Sequence, residues 1–305
     1  MRRAPATVRR RAGPAPCPSL PAFAVTPPPI HLHLIAYDEA TRATASAPGW
    51  RLLDNRANER PDWYEYWPIR RFLAAGTLED DVWYGFVSPR FGEKTGLGPR
   101  QVEEVVASHC SRDRQPDVVL FSPQPDMGAF FLNVFEQGEL FHPGFLPLAQ
   151  QVAGALGIDV PLATLVTDAR QIVYSNYFVA RKPFWQAWFK LTEAIFAMAE
   201  DPANELGRAL GAATTYPGQA QQKIFMIERV ASLMLAVQPQ WQVASANSFQ
   251  FAWSGFEAFH RNRDLAVISD ALKVAYRTNP WPEYIQAFEH IRARIGPAHA
   301  PAGAA

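Results

Sequence analysis

Short apolar runs, each ending in polar or turn-forming residues, alternate with amphipathic stretches through the first ~180 residues, and this alternation constrains the fold most. A strand buried on both faces reads as a continuous apolar run, and a chain that adds parallel strands must return through a crossover, usually a helix. Ile30 to Tyr37 reads as a first strand ending at Asp38-Glu39, and Arg51-Leu52-Leu53 as a short second strand ending at Asp54-Asn55. Trp83–Val87, Val118–Phe121 and Ile172–Ala180 read as three more. Asp62 stands as a cap before Trp63, Tyr64, Tyr66 and Trp67, with Pro68 moving the cleaner helix start towards Trp67. Pro99–Ser108 carries Val102, Val105 and Val106 on one helical face.

Beyond the fourth strand the pattern turns helical. Leu146–Leu156 reads as a helix, and two long ones follow at about Pro183 to Ala199 and Gln221 to Val237. Phe184, Trp188, Leu191, Ile195 and Ala199 make one buried stripe on the first of these. Asp264–Arg277 and Trp281–Ile295 complete the series. The expected architecture is therefore α/β, a mostly parallel sheet flanked by helices, with a helix-rich C-terminal portion from about residue 183. It forms a single domain over residues 30–295. Residues 1–29, rich in Arg, Pro and Ala, read as a disordered leader or an over-extended gene start, and residues 296–305 as a frayed tail.

Hydrophobic residues make up 48% of the chain and charged residues 19%, which suffices for a large core. Lys plus Arg and Asp plus Glu number 29 each, so the chain carries no excess charge for a nucleic acid partner. Cys17 and Cys110 form no metal-ligand spacing and suit a reducing, cytoplasmic location. No run approaches the ~18 apolar residues of a transmembrane segment.

Ligands of open α/β sheets bind at the carboxyl ends of the strands. The segments to inspect are accordingly Asp38, Asp54-Asn55, Ser88 to Thr95, Ser122 to Asp126 and the end of the Ile172 strand. The third strand empties into Arg90, Glu93, Lys94 and Thr95 between Gly92 and Gly96, a polar loop suited to an anionic substrate. Asp126 is the acid best placed for a metal, whereas Asp80-Asp81 lies at the amino end of its strand and reads as solvated or capping. His31 and His33 share a strand face and read as tolerated strand histidines. Glu136, Glu139 and His142 place two carboxylates and an imidazole among phenylalanines, where burial would tune a general base. Asn176 lies within an apolar strand and must be hydrogen-bonded as a clamp or a substrate contact. Glu228-Arg229, in an apolar helix, reads as an internal ion pair or an exposed edge.

In their order these segments resemble an uncharacterised glycosyltransferase-like family of capsular and exopolysaccharide gene clusters. The resemblance is carried by Asp54-Asn55 through Glu65-Tyr66-Trp67, by Tyr84-Gly85-Phe86 with Arg90-Phe91, and by the strand ending at Ser122-Pro123. It continues through Val134 to His142, Asn176-Tyr177-Phe178-Val179-Ala180-Arg181 with Phe184-Trp185 and Trp188, and Met226-Ile227-Glu228-Arg229-Val230. It spans roughly residues 30–240, and Ser88 to Thr95 stands where the relatives have a His-Tyr-Arg-Arg type run.

The resemblance implies a Rossmann-like, GT-A-type nucleotide-sugar fold and transfer of a sugar from a nucleotide-sugar donor to a hydroxyl of a surface glycan acceptor. Asp38, Asp54 and Asn55 would then hold the nucleotide end, and Arg90 and Lys94, beside Glu93, would offset the diphosphate charge. Asp126 would ligate Mn or Mg, Glu136 or His142 would act as base, and Asn176, with Arg181 behind it, would orient a sugar hydroxyl. The alternatives are a non-catalytic partner or scaffold of a polysaccharide-assembly complex, and a hydrolase with two carboxylates across a cleft.

Overall fold

A computed structural model describes residues 28–110, 115–216, 218 and 220–295, so the leader before Pro28 and the tail from Gly296 lie outside the described residues. Six strands form one sheet: β1 (Ile30–Ala36), β2 (Arg51–Asp54), β3 (Trp83–Val87), β4 (Val118–Leu120), β5 (Phe178–Arg181) and β6 (Val243–Ser245). Their order is β2-β1-β3-β5-β4-β6, and every strand runs parallel except β5, which is antiparallel to both neighbours. The sheet is thus mixed and mostly parallel, as expected, with one reversal the sequence pattern does not reveal.

The helices are α1 (Glu39–Ala45), α2 (Tyr66–Ala74), α3 (Phe91–Thr95), α4 (Pro99–His109), α5 (Pro125–Ala129), α6 (Val134–Phe141) and α7 (Phe145–Ala155). After β5 come α8 (Lys182–Ala199), α9 (Glu205–Gly211), α10 (Gln222–Val237), α11 (Glu257–His260), α12 (Arg263–Thr278) and α13 (Pro282–Ile295). Alternation along each strand divides the core in two. Ile35, Tyr84, Phe86, Leu120 and Phe178 face a large cluster with α2, α8 and α10. Leu32, Leu34, Trp83, Val87, Val119 and Val179 face a smaller one with Val102 and Val106 of α4.

The long helices match the expected spans because their apolar stripes are unambiguous. Pro183 in the first turn of α8 sacrifices no helical hydrogen bond, and Phe184, Trp185, Trp188, Thr192 and Ile195 form its buried stripe. Trp185 donates from its indole to the Tyr84 carbonyl at 2.9 Å, tying α8 to the central strand.

The span from Ile172 to Ala180 differs from expectation. Only its end is a strand, because Ser175 and Asn176 take left-handed φ values of 59° and 53° and interrupt the ladder. Val173 and Tyr174 instead donate from their backbones to the hydroxyls of Ser232 and Ser122. The loop after β3 is also more ordered than expected: α3 forms within it and stops at Gly96, whose φ of 72° suits a residue without a side chain.

Candidate functional site

Because β5 is reversed, its beginning joins the carboxyl ends of the other five strands at one edge. Asn176 and Tyr177 therefore stand beside the ends of β1, β2, β3, β4 and β6. Arg181, paired in register with Trp83, lies at the opposite edge near Asp117. This corrects the expected placement of Arg181 with Asn176 in one site: three residues of strand, about 10 Å, separate the edges. Asp80, bonded to Lys182 at 2.8 Å, is at that far edge too.

Sheet parity places several carboxyl-edge residues on the face covered by α2 and α10. Tyr37 follows Ile35 by two, Asn55 follows Leu53 by two and Ser88 follows Phe86 by two. Asn55 is 1% exposed and neither atom of its amide has a partner among the described residues. The Tyr37 hydroxyl and the side-chain amide oxygen of Asn176 are likewise buried and unpartnered among the described residues. Unsatisfied buried polar atoms are uncommon, and several of them meet along this one sheet edge.

Lys94 on α3 reaches into this group. Its Nζ donates to the Ser175 hydroxyl at 2.9 Å and lies 5.6 Å from the centre of the Tyr177 ring. Tyr177 in turn shares a hydrogen bond with the Ser88 hydroxyl, and its ring packs at 5.0 Å on Phe91, the first residue of α3. Burial pushes the phenols of Tyr37 and Tyr177 above their ordinary value, so both stay protonated.

Two carboxylates complete the arrangement. Glu65 follows Tyr64, whose backbone is strained at φ 45° and ψ −131°, and precedes α2. Glu228 projects from α10. Burial raises both carboxyls, and Lys94 opposes the shift at each. Each acid is only partly exposed, and Glu65 raises Glu228 further by like-charge repulsion. Glu228 stands one turn before Ser232 on α10, and the Ser232 hydroxyl accepts from the Val173 backbone at 2.8 Å in the segment leading to Asn176, which sets Glu228 beside this edge. The loop carrying Glu65 is pinned to α10: Lys223 bonds Asp62 at 2.6 Å, while Arg60 spans Asp62 and Glu200.

Glu228 and Arg229 do not form the internal ion pair the sequence suggests. Arg229 turns away, donating to the Val134 carbonyl at 2.8 Å, the Phe225 carbonyl at 2.9 Å and Gln137 Oε1 at 2.7 Å. Glu228 makes no hydrogen bond or ion pair among the described residues, which leaves its carboxylate available.

Other expected site residues are committed elsewhere. Asp38 caps α1, accepting from the Thr41 backbone at 2.7 Å, and this holds its carboxyl below the usual range. Asp54 forms a two-pronged pair with Arg56 and is held down at about 2. Arg90 pairs with Glu93 at 3.1 Å on the exposed side of α3. Asp126 is fully buried, and its oxygens accept from the backbone and hydroxyl of Ser254. It is a clamp between α5 and the segment before α11, and a metal would have to displace those donors.

Glu136 accepts from the Leu132 backbone and pairs with Arg292 of α13 at 2.9 Å, away from the sheet edge. His142 packs on Phe225 with ring centres 3.9 Å apart, and burial lowers it to about 4, so it is a neutral packing group beside α10. Of the expected residues, Asn55, Lys94 and Asn176 join the carboxyl-edge group, with Arg90 and Glu93 at its rim. Glu65, Glu228, Tyr37 and Tyr177 are added to it. The available signal for Glu228 was a charge inside an apolar helix, and for Glu65 only its place before α2.

A separate cavity of about 10 Å³ under Ser122 to Pro125, bordered by Ser248 and Asp270, shares no lining residue with this group and has room for one water. Among the described residues, no helix is long and apolar enough to cross a membrane, and no group of three or more His, Cys, Asp or Glu is placed to hold a metal. Fold and site together define an α/β protein with a group of buried and half-buried polar residues at the carboxyl edge of its sheet. No family model, no curated protein and no solved structure matches the chain.

Proposed function

We propose that this chain is a glycosyltransferase-like enzyme that moves a sugar from a nucleotide-sugar donor to an acceptor hydroxyl. One observation carries the reading. A cation, two uncommitted carboxylates and several unpartnered amide and hydroxyl groups meet at the carboxyl edge, where α/β sheets bind ligands. In this reading Lys94 offsets the diphosphate, and Arg90 joins it on leaving Glu93. Glu228, raised by burial, takes the proton of the acceptor hydroxyl as that oxygen bonds to the anomeric carbon. The bond from that carbon to the diphosphate breaks, and the nucleoside diphosphate leaves with the electron pair, held by Lys94. Asn176 orients a sugar hydroxyl.

A GT-A-type sheet and a place in surface polysaccharide synthesis belong to the same proposal. The reversed strand supports the first by bringing Asn176 to the site. The likeness of residues 176–188 and 226–230 to the capsular family supports the second. Asp126, with both oxygens engaged, does not fit as a ligand for Mn or Mg, and no step is routed through a metal.

Calorimetric titration with UDP-, GDP- and CMP-sugars tests the reading. Binding of one donor supports it, and silence across the panel, with and without manganese, counts against it. The scaffold reading is favoured by one observation, the engagement of Asp38, Asp54 and Asp126 in local contacts. It predicts silence in the titration together with recovery of synthesis enzymes in a pull-down.

A further inference from the structure

The connection between α9 and α10 supplies a wall that the strand ends do not. It is a hairpin, held by a bridge between Ala213 and Gln221 and by the Thr214 backbone donating to the Ala220 carbonyl at 2.9 Å. The Thr214 hydroxyl donates to the same carbonyl at 2.7 Å. Near its tip Tyr216 remains 45% exposed, although its ring meets Phe225 edge-on at 5.6 Å. Phe225 lies one turn before Glu228 on α10, and the Tyr64 hydroxyl, next to Glu65, donates to the Gly218 carbonyl at 3.5 Å, so Tyr216 stands over the same two carboxylates, whose charges act on its phenol. The other exposed large apolar residues among the described ones, Leu52, Val267, Ile268 and Trp281, lie on β2 or along α12 and the turn after it.

An aromatic ring held on one side and open on the other, above a floor of carboxylates and amides, matches the two-sided chemistry of a sugar ring. The C–H face of a pyranose packs on the aromatic, and its hydroxyls bond downward. Asn55 and Asn176, each more than nine-tenths buried with unpartnered amide atoms, are groups such hydroxyls would satisfy.

Charge then selects among sugars. Glu65 and Glu228 both stand beside Tyr216, Arg229 is spent on carbonyls and Gln137, and Arg90 is paired with Glu93. That leaves Lys94, which a donor diphosphate would engage. An acceptor carrying its own carboxylate would meet two others in a partly dehydrated space, where like charges are strongly disfavoured.

We propose that Tyr216 is the specificity residue of the acceptor side, stacking on an uncharged pyranose, and that Glu65 and Glu228 exclude uronic acids and other anionic sugars. This rests on the glycosyltransferase reading, which assigns Lys94 to the donor.

Saturation-transfer NMR on the full chain with the methyl glycosides of glucose, galactose, mannose and glucuronic acid tests it. At least one neutral glycoside should bind, and the glucuronide about tenfold or more weakly, the ratio that ~1.4 kcal/mol corresponds to. Tyr216→Ala should weaken the neutral glycoside by about tenfold and Tyr216→Phe should not, while Glu228→Gln should narrow the gap to the glucuronide. Equal binding of the glucuronide, binding of no neutral glycoside, or indifference to Tyr216→Ala overturns the proposal. Donor titration separates the two levels. Intact donor binding with failed glycoside binding removes only the acceptor assignment, whereas Tyr216-dependent glycoside binding without any donor removes the transferase reading.

Discussion

Glu228 and Arg229 are adjacent in one helix and do opposite work. Arg229 is saturated by carbonyls and Gln137, while Glu228 is left without a partner among the described residues, in surroundings that resist its charge. A carboxylate kept in that state destabilises the fold, and the transferase proposal gives it the role of base. Glu228→Gln is therefore expected to raise the urea midpoint while lowering transfer by about 10²–10⁴-fold, the range for loss of a general base. A rate within a few-fold of the parent would remove Glu228 from that role. The histidines set a different pH response. Burial lowers His33 to about 3 and His142 to about 4, from an ordinary 6.5. Because the folded state holds both neutral, their contribution is whole above the unfolded value and is lost as pH falls from there towards the folded values. Each contributes a slope approaching ~1.4 kcal/mol per pH unit. Urea unfolding at pH 7.5, 6 and 5 should show this fall, and His33→Phe, in contact with Phe72 and Phe86, should reduce it. A flat profile would contradict the neutral, buried state of both rings.

Among the elements, α8 and α10 were legible because apolar residues at helical spacing have one low-energy solution, and β3 because five apolar residues in a row need burial on both faces. The start and direction of β5 were not. Ile172 to Ala180 reads as one strand, yet the conformation of Ser175 and Asn176 is decided by tertiary partners, the Lys94 ammonium among them. Direction within a sheet leaves no mark on a short apolar run, and that reversal is what separates Asn176 from Arg181. The site was half legible for the same reason. Lys94 and Asn176 showed as polar residues at strand ends, whereas Glu65 and Glu228 sit on helical segments whose approach to the edge only packing determines. Close approach between α8 and α9 is equally invisible in sequence. A Cβ on Gly207 would lie 2.2 Å from the Asp201 carbonyl oxygen and 2.4 Å from that of Met198. Both are backbone atoms and cannot move aside alone, so Gly207→Ala should cost about 3 kcal/mol in chemical denaturation, towards the upper end for overpacking. A change under ~0.5 kcal/mol, typical of an unconstrained surface site, would show that α9 does not dock as described.

At the scale of the whole molecule, one mixed sheet between two helical layers brings the unpartnered groups of Tyr37, Asn55 and Asn176 to one edge, while other buried charges serve structure. Lys273, fully buried, donates to the carbonyls of Gly128 and Phe131 at 2.6 and 2.9 Å and joins α12 to the segment around α5. Asp168 is shared by Arg170 and Arg277. These contacts hold the C-terminal helices to the sheet, and the proposed chemistry sits at the carboxyl edge. The most direct test of that claim is titration of the same nucleotide-sugar panel into the parent chain, Lys94→Ala and Arg181→Ala. The carboxyl-edge account predicts that a donor bound by the parent is lost in Lys94→Ala and kept in Arg181→Ala. Loss in Arg181→Ala with binding retained in Lys94→Ala would place the ligand at the opposite edge and contradict it.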